Sequence, residues 1–184
     1  MQNDGLLPFI HQIESLKSEG QYAQAKVIVD SLLLKHTDDY RLYEELCDIY
    51  LFMDDHARAK EAITVARTLN DESATGMYLL GYLHITHGNF TEGIELLERA
   101  NVLFPNNPEI LRNLGWGLTV TGKGAKGIFL LRRALNISGD DALIMEDLAV
   151  ALISEGEDFS EAEDLLRRAG KESRLAELRA LMQI

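Results

Sequence analysis

The amino-acid sequence repeats itself with a period of 34 residues, and this period restricts the fold more than any other feature. Three pairs of identical residues are separated by 34 positions: Leu80 and Leu114, Gly81 and Gly115, and Gly88 and Gly122. Steps of the same length in both directions reach similar residues in five segments, which begin near Leu6, Tyr40, Ala74, Pro108 and Ala142. A fixed period of this length indicates stacked units, each of which buries its apolar face against the next.

The interior of each unit has the spacing of a helix pair. In the fourth unit Ile110, Leu114 and Leu118 share one helix face, and Ile128 and Leu131 share another. Breaks inside the units fall near Gly20, Asp54-Asp55, Gly88, Gly122 and Gly156, and capping residues precede the first helices at Thr37-Asp38-Asp39, Asn70-Asp71, Asn106-Asn107-Pro108 and Gly139-Asp140-Asp141. The pattern predicts ten helices in antiparallel pairs and no strand.

Small residues in the middle of the helices indicate close helix packing. A glycine inside a helix costs about 1 kcal/mol relative to alanine, so Gly81 and Gly115 need a compensating reason. Each lies at the same position in its unit, where the absence of a side chain lets the partner helix approach. We therefore expect the two helices of each unit to pack closely at these positions.

These residues resemble the tetratricopeptide repeat (TPR) family over residues 6–170. The third unit carries the resemblance as Met77, Leu80-Gly81, His84, Gly88, Phe90, Gly93, Leu97, Ala100 and Pro105. The chain departs from the family pattern at Gln12-Ile13, at Gly124, and by one extra residue between Gly156 and Ala162. The resemblance implies an all-α TPR-type α-solenoid, a right-handed superhelix of five helix-turn-helix repeats plus a C-terminal capping helix.

We expect a single solenoid domain over residues 1–184. Its repeats are predicted near 6–39, 40–73, 74–107, 108–141 and 142–170, with the capping helix at 171–184. The last segment carries Leu175, Leu178, Leu181 and Met182 at helical spacing. Because a repeat stack exposes an apolar face at its end, this segment is predicted to cover it. A tail that binds a partner is the alternative.

Charge and composition restrict the function. The net charge is −12, from 30 acidic and 18 basic residues, so nucleic-acid binding is not expected. The sequence contains no apolar run long enough for a membrane span, and Met1-Gln2-Asn3-Asp4 does not resemble the start of a signal peptide. A cytoplasmic location is the resulting prediction. The single cysteine, Cys47, cannot form an internal disulfide.

Three constellations suggest chemistry and are better explained by structure. Gly117 to Gly124 nearly matches a phosphate-binding loop but has Gly124 in place of the hydroxyl residue that follows the lysine, and its residues Gly117 to Thr121 lie in helical register. His84 and His87 lack further ligands at a matching spacing. Paired acids such as Asp140-Asp141 fall at helix starts, where they favour the helix dipole. No enzymatic activity, metal or cofactor is predicted.

The resemblance also implies a concave face lined by the first helix of each pair. The residues predicted to form a partner-binding groove there are Phe52, Tyr78, Tyr82, Ile85, Arg112, Trp116, Val120 and Val150. Core demand does not explain these aromatic and aliphatic residues, because Leu80, Leu114 and Leu118 already supply the packing face. The alternative is that Phe52, Tyr78 and Trp116 pack against neighbouring units.

The predicted function is a non-enzymatic protein–protein interaction module, or a small chaperone or adaptor. It would hold a peptide or a helical segment of another protein in the groove. The alternative is a self-assembling scaffold that uses its end units or its convex face, so self-association stays open. The lysine and asparagine residues with which some TPR proteins bind a C-terminal carboxylate are missing, since Ile10 and Glu14 occupy the first two of those places.

Overall fold

The computed structural model of the chain describes residues 5–182, and side chains as far as residue 180. These residues form eleven α-helices and contain no strand, which confirms the predicted all-α class. In chain order the helices are α1 (Leu7–Ser18), α2 (Tyr22–Leu33), α3 (Tyr40–Phe52), α4 (His56–Leu69), α5 (Ala74–Thr86), α6 (Phe90–Leu103), α7 (Pro108–Val120), α8 (Gly124–Ser138), α9 (Ala142–Ser154), α10 (Phe159–Arg168) and α11 (Glu172–Met182).

The turn inside each helix pair has the same backbone conformation in all five units. Positive φ angles recur every 34 residues, at Gly20 (73°), Asp54 (59°), Gly88 (79°), Gly122 (78°) and Gly156 (70°). Glycine occupies four of these five places because it adopts the left-handed conformation without steric cost. The next amide then donates to the carbonyl five residues back, as from Lys123 to Leu118 at 2.8 Å. The 34-residue period of the sequence therefore corresponds to a turn conformation that recurs in the backbone at the same interval.

Polar side chains cap the N-terminal ends of several first helices. The side-chain oxygens of Asp39, Asn107 and Asp141 accept hydrogen bonds from amides of the first helical turn, at 2.9 to 3.1 Å. The predicted residues Asn70-Asp71 do not cap α5 itself, because the Oδ1 of Asn70 accepts the amide of Glu72 in the preceding turn, at 3.1 Å. At the start of α5 it is the hydroxyl of Ser73 that accepts the amide three residues on, at 3.3 Å.

The helices α7 and α8 approach each other as closely as their backbones allow. A Cβ atom added to Gly115 would lie 3.0 Å from the carbonyl oxygen of Gly127, and one added to Gly127 would lie 2.6 Å from the carbonyl oxygen of Gly115. Neither position has room for a side chain. This close approach is the compensation expected for a glycine in the middle of α7.

The chain divides into two compact units, the first ending at Leu83 and the second beginning at His84. The core of the first unit includes a cluster around Ile13, Val29, Leu42 and Ile49 and another around Cys47, Ile63, Leu79 and Leu83. Cys47 is fully buried, and burial raises the pKa of its thiol. That the whole chain forms one domain stays a prediction.

The last helix completes the main core cluster of the second unit. From α11, Leu175 and Leu178 join Leu148, Leu152, Leu165 and Leu166 in that cluster. The guanidinium of Arg179 donates to the Glu163 carboxylate of α10 at 2.7 Å. α11 therefore covers apolar side chains of α9 and α10, as expected of a capping helix. The side chains of Leu181 and Met182 lie outside the described residues.

Candidate partner-binding surface

α7 leaves one narrow stripe of side chains open. From Ile110 to Val120 eight of the eleven residues are buried, and the remaining three are Arg112, Trp116 and Val120. They are four residues apart, so they share one helix face. Val120 is 41% exposed and Trp116 is half-buried. We call these three residues the α7 stripe; all three belong to the surface predicted from the sequence.

α5 carries the same pattern one period earlier, with one correction. Tyr78 and Tyr82, at the positions equivalent to the first two residues of the α7 stripe, are half-buried. Ile85 is only 5% exposed, and a Cβ atom added to Gly117 of α7 would lie 2.8 Å from its Cδ1. The position equivalent to the third residue of the stripe is Thr86, which is exposed. Including Ile85 in the predicted surface was wrong, because it packs inward.

α3 departs from the pattern further. Phe52 is 55% exposed, and its ring stacks on that of Tyr22 from α2, with centroids 4.9 Å apart and an angle of 6° between the ring planes. Glu44, two periods before Arg112, is 6% exposed. Burial raises the pKa of the Glu44 carboxyl. This face of α3 is therefore partly buried. Phe52 packs against the preceding repeat, which is what the alternative prediction stated for this residue.

An ion pair joins the α7 stripe to α9. The Nε of Arg112 lies 2.6 Å from the Oδ2 of Asp147, with side chains 28% and 19% exposed. Burial raises the pKa of the Asp147 carboxyl, and the Arg112 charge opposes that shift. Val150, the predicted surface residue of α9, is half-buried and packs against the core of the second unit. The charge of Arg112 is thus already paired within the chain.

Asp147 was not predicted, although the sequence holds a signal for it. It follows Arg112 by 35 residues, close to one period. Oppositely charged residues one period apart lie on the first helices of adjacent repeats and can meet there. In the first unit Lys17 of α1 also pairs with the first helix of the next repeat, through Glu45 and Asp48 of α3, each at 2.6 Å.

Four arginines of the second helices α8 and α10 are paired with acidic or amide groups. Arg132 donates to Glu161 of α10 at 2.5 and 2.8 Å, and Arg168 donates to Asp140 at 2.6 Å. Arg133 contacts Asn106, and Arg167 contacts Glu163. They make a solvated surface of ion pairs rather than an open basic patch.

The described residues were also compared with what a phosphate-binding loop, a metal site and a membrane span require. Gly117–Val120 completes α7, so the near match to a phosphate loop has no strand before it. His84 is half-buried and His87 exposed at the end of α5. Within residues 5–182, no group of three or more His, Cys, Asp or Glu side chains is placed to hold a metal ion. In the same range no helix combines the length and the hydropathy of a membrane span.

Comparison with solved structures defines the fold. PilW, described as a widely conserved type IV pilus biogenesis factor, superposes with a TM-score of 0.74 at 16% identity, over 95% of this chain and 79% of PilW. PilF of Pseudomonas aeruginosa gives a TM-score of 0.69 at 17% identity, over 89% of this chain and 74% of PilF. MamA of Desulfovibrio magneticus RS-1 gives 0.67 at 13% identity, over 95% of this chain and 98% of MamA.

No protein-family model matches the amino-acid sequence, and no curated protein matches it. The similarity therefore rests on architecture, and at these identities it establishes the fold alone. The chain is a helical-repeat protein of the α-solenoid class. Its fold is that of the tetratricopeptide repeat proteins, as the sequence predicted.

Proposed function

We propose that this chain is a non-enzymatic protein-binding module that holds an apolar segment of a partner protein, helical or extended, against its first helices. The α7 stripe carries this proposal. α7 buries eight of the eleven residues from Ile110 to Val120 and leaves a tryptophan in the middle of the remaining face. Since Leu114 and Leu118 already fill the core side, packing within the unit does not require Trp116 to lie there.

The composition of the stripe suits a binding hot spot. A half-buried tryptophan is already held in place, so a partner gains a large contact area for a small loss of side-chain entropy. Val120 extends the apolar contact by one turn. The Arg112–Asp147 pair lies at the other end of the stripe and supplies a polar rim. A partner segment with an apolar anchor for Trp116 and a polar group near Arg112 fits this arrangement.

The first unit offers a second set of aromatic residues, Tyr78, Tyr82 and Phe52. Tyr78 packs on the cluster around Cys47 and is half-buried, and Phe52 is the most exposed of the three. We propose that these residues contribute contacts of the same kind in the first unit. Val150 of α9 would add an aliphatic contact in the second.

The experiment uses Trp116 both as probe and as target. A partner captured from the native cell should shift the fluorescence of this single tryptophan to the blue when it binds. Trp116→Ala should weaken the binding of that partner by at least about 2 kcal/mol. Phe129→Ala, which removes an exposed aromatic ring from α8, is the matched control and should bind at full strength. Equal binding by wild type and Trp116→Ala would end the proposal.

A small chaperone or adaptor role would follow if the partner is unstable without this chain. The cytoplasmic location stays a prediction, to be checked by fractionation of the native cell. The alternative function, a self-assembling scaffold, is supported by a different surface, formed by the second helices α6 and α8. Because that surface involves other residues, self-assembly and partner binding can be tested separately.

A further inference from the structure

The second helices α6 and α8 border an apolar groove of about 550 Å³ whose floor is α7. Its principal lining residues are Glu98 and Val102 from α6, Leu114 and Leu118 from α7, and Lys126 and Phe129 from α8. We call α6, α8 and the groove between them the α6–α8 surface. It lies within the second unit and shares no residue with the α7 stripe.

Two apolar side chains of this surface are exposed far beyond what packing within the unit needs. Val102 is 78% exposed and Phe129 is 65% exposed, one on each side of the groove. Contiguous apolar surface of this kind marks interaction sites more often than single exposed residues do.

The charges on the two helices are complementary at equivalent positions. α6 carries exposed Glu92 and Glu98, and 34 residues later α8 carries exposed Lys126 and Arg132. Arg132 already binds Glu161 with two hydrogen bonds. Among the described residues, neither Lys126 nor Glu92 makes an ion pair within the chain. An acidic helix and a basic helix therefore lie on the two sides of one apolar groove.

We propose that the α6–α8 surface is the contact between two copies of this chain. Equivalent helices of successive repeats run in the same direction. A two-fold axis parallel to them lays α6 of one copy on α8 of the other. Because residues 34 apart lie at the same height along their helices, this pairing brings Glu92 of each copy to Lys126 of the other. The two Phe129 rings then lie in the space between the facing grooves. Such a surface is self-complementary, as a two-fold interface requires.

The size of the surface makes the association weak. A helix of 14 residues is about 21 Å long, and two neighbouring helices are about 20 Å across, so each copy offers roughly 400 Å². This is about half of what a stable interface buries on each partner, so the dimer forms and dissociates with concentration. The net charge of −12 opposes association, and at physiological salt its reach is limited to about 8 Å.

Sedimentation equilibrium of the full chain tests the proposal, at physiological salt and from about 10 μM to about 1 mM, a range that brackets weak affinities. The wild type should shift from monomer to dimer within this range. Lys126→Glu and Glu92→Lys should each raise the dimer dissociation constant at least about tenfold, since each places like charges opposite one another. Phe129→Ser should do the same by removing apolar area. Lys60→Glu, on an exposed turn of α4, is the matched control and should leave the constant unchanged.

Mixing the two charge variants gives the decisive measurement. In a pair made of one Lys126→Glu chain and one Glu92→Lys chain, every contact between the two positions again joins opposite charges. The equimolar mixture should therefore dimerise within about threefold of the wild type, although each variant alone does not. A monomeric wild type at the highest concentration, unchanged single variants, or a mixture that stays monomeric would each overturn the proposal. Trp116→Ala should dimerise normally, which separates this contact from partner binding.

Discussion

The two sides of α7 differ in how much freedom their residues have. On the packed side, Leu114 is 3% and Leu118 is 5% exposed, and Gly115 lies too close to α8 to carry a side chain. On the open side, Trp116 and Val120 contact their surroundings only in part. One helix thus separates residues that hold the fold from residues that we propose contact a partner. Substitutions on the two sides should separate stability from binding.

The largest loss of stability is expected for Leu114→Ala. The variant should lower the free energy of unfolding by roughly 2–5 kcal/mol, because it leaves a cavity under α6 and α8. Urea denaturation followed by circular dichroism measures this. Trp116→Ala should cost less in the same assay, since a half-buried residue leaves a smaller cavity. If the two losses are equal, Trp116 is a core residue and the contrast between the sides of α7 disappears.

A smaller loss is expected for Gly115→Ala. The new Cβ atom would lie 2.9 Å from the Cγ of buried Leu131 and 3.0 Å from the carbonyl oxygen of Gly127. Because a backbone oxygen cannot turn aside, we expect a loss of about 1–3 kcal/mol despite the better helix propensity of alanine.

The matched control for this variant is Gly117→Ala on the same helix. Its Cβ atom would lie 2.8 Å from the Cδ1 of Ile85 and 3.1 Å from the Cγ1 of Ile94, and these side-chain atoms can move more easily than a backbone oxygen. It should therefore cost less than Gly115→Ala in thermal or urea denaturation. The reverse order would show that the backbone contact between α7 and α8 is not the limiting one.

Glu44 of α3 lies at the position equivalent to Arg112 of α7. The Arg112 side chain is partly exposed, whereas that of Glu44 is buried. Burial raises the pKa of its carboxyl, so the folded state holds the proton more tightly than the unfolded state. Its contribution is therefore favourable below the unfolded pKa and is lost as the pH rises through the folded pKa. Glu44→Gln, which cannot ionise, should gain stability relative to wild type as the pH rises above the unfolded pKa of about 4. A stability difference independent of pH, measured by urea denaturation, would contradict this.

The smallest effect on stability is expected for Val120→Ser at the exposed end of the α7 stripe. Since Val120 is 41% exposed, the free energy of unfolding should change by no more than about 0.5 kcal/mol. Affinity for a partner should nevertheless fall measurably in calorimetry. A variant that loses stability without losing affinity would place Val120 on the packed side.

The fold was predictable from the sequence because its period records backbone constraints. Glycine at 20, 88, 122 and 156 marks a left-handed residue in each turn, and such positions tolerate few alternatives. In the second repeat, residues 40–73, Asp54 occupies the same place. The 34-residue spacing reveals this position although the residue type does not. The cap at Ser73 could not be predicted in the same way, because several polar residues near the start of a helix can each accept its first amides.

The candidate surface was predictable where the period was followed strictly. Arg112, Trp116 and Val120 all lie on the open side of α7. Ile85 failed because it is one residue out of register, the equivalent place being Thr86. The closure of α3 and the Arg112–Asp147 pair depend on which side chains meet across different repeats. Helical spacing alone does not determine those contacts.

The burial of Cys47 gives the chain a chemical reporter of its first unit. A buried thiol with a raised pKa reacts only when the surrounding structure opens, so its rate of labelling measures that opening. The only tryptophan, Trp116, belongs to the second unit and reports on it optically. Without any engineered probe, the two halves of the chain can thus be followed independently during one denaturation. Coincident transitions would mean that all repeats unfold in one cooperative step. Separate transitions would mean that the two units unfold one after the other.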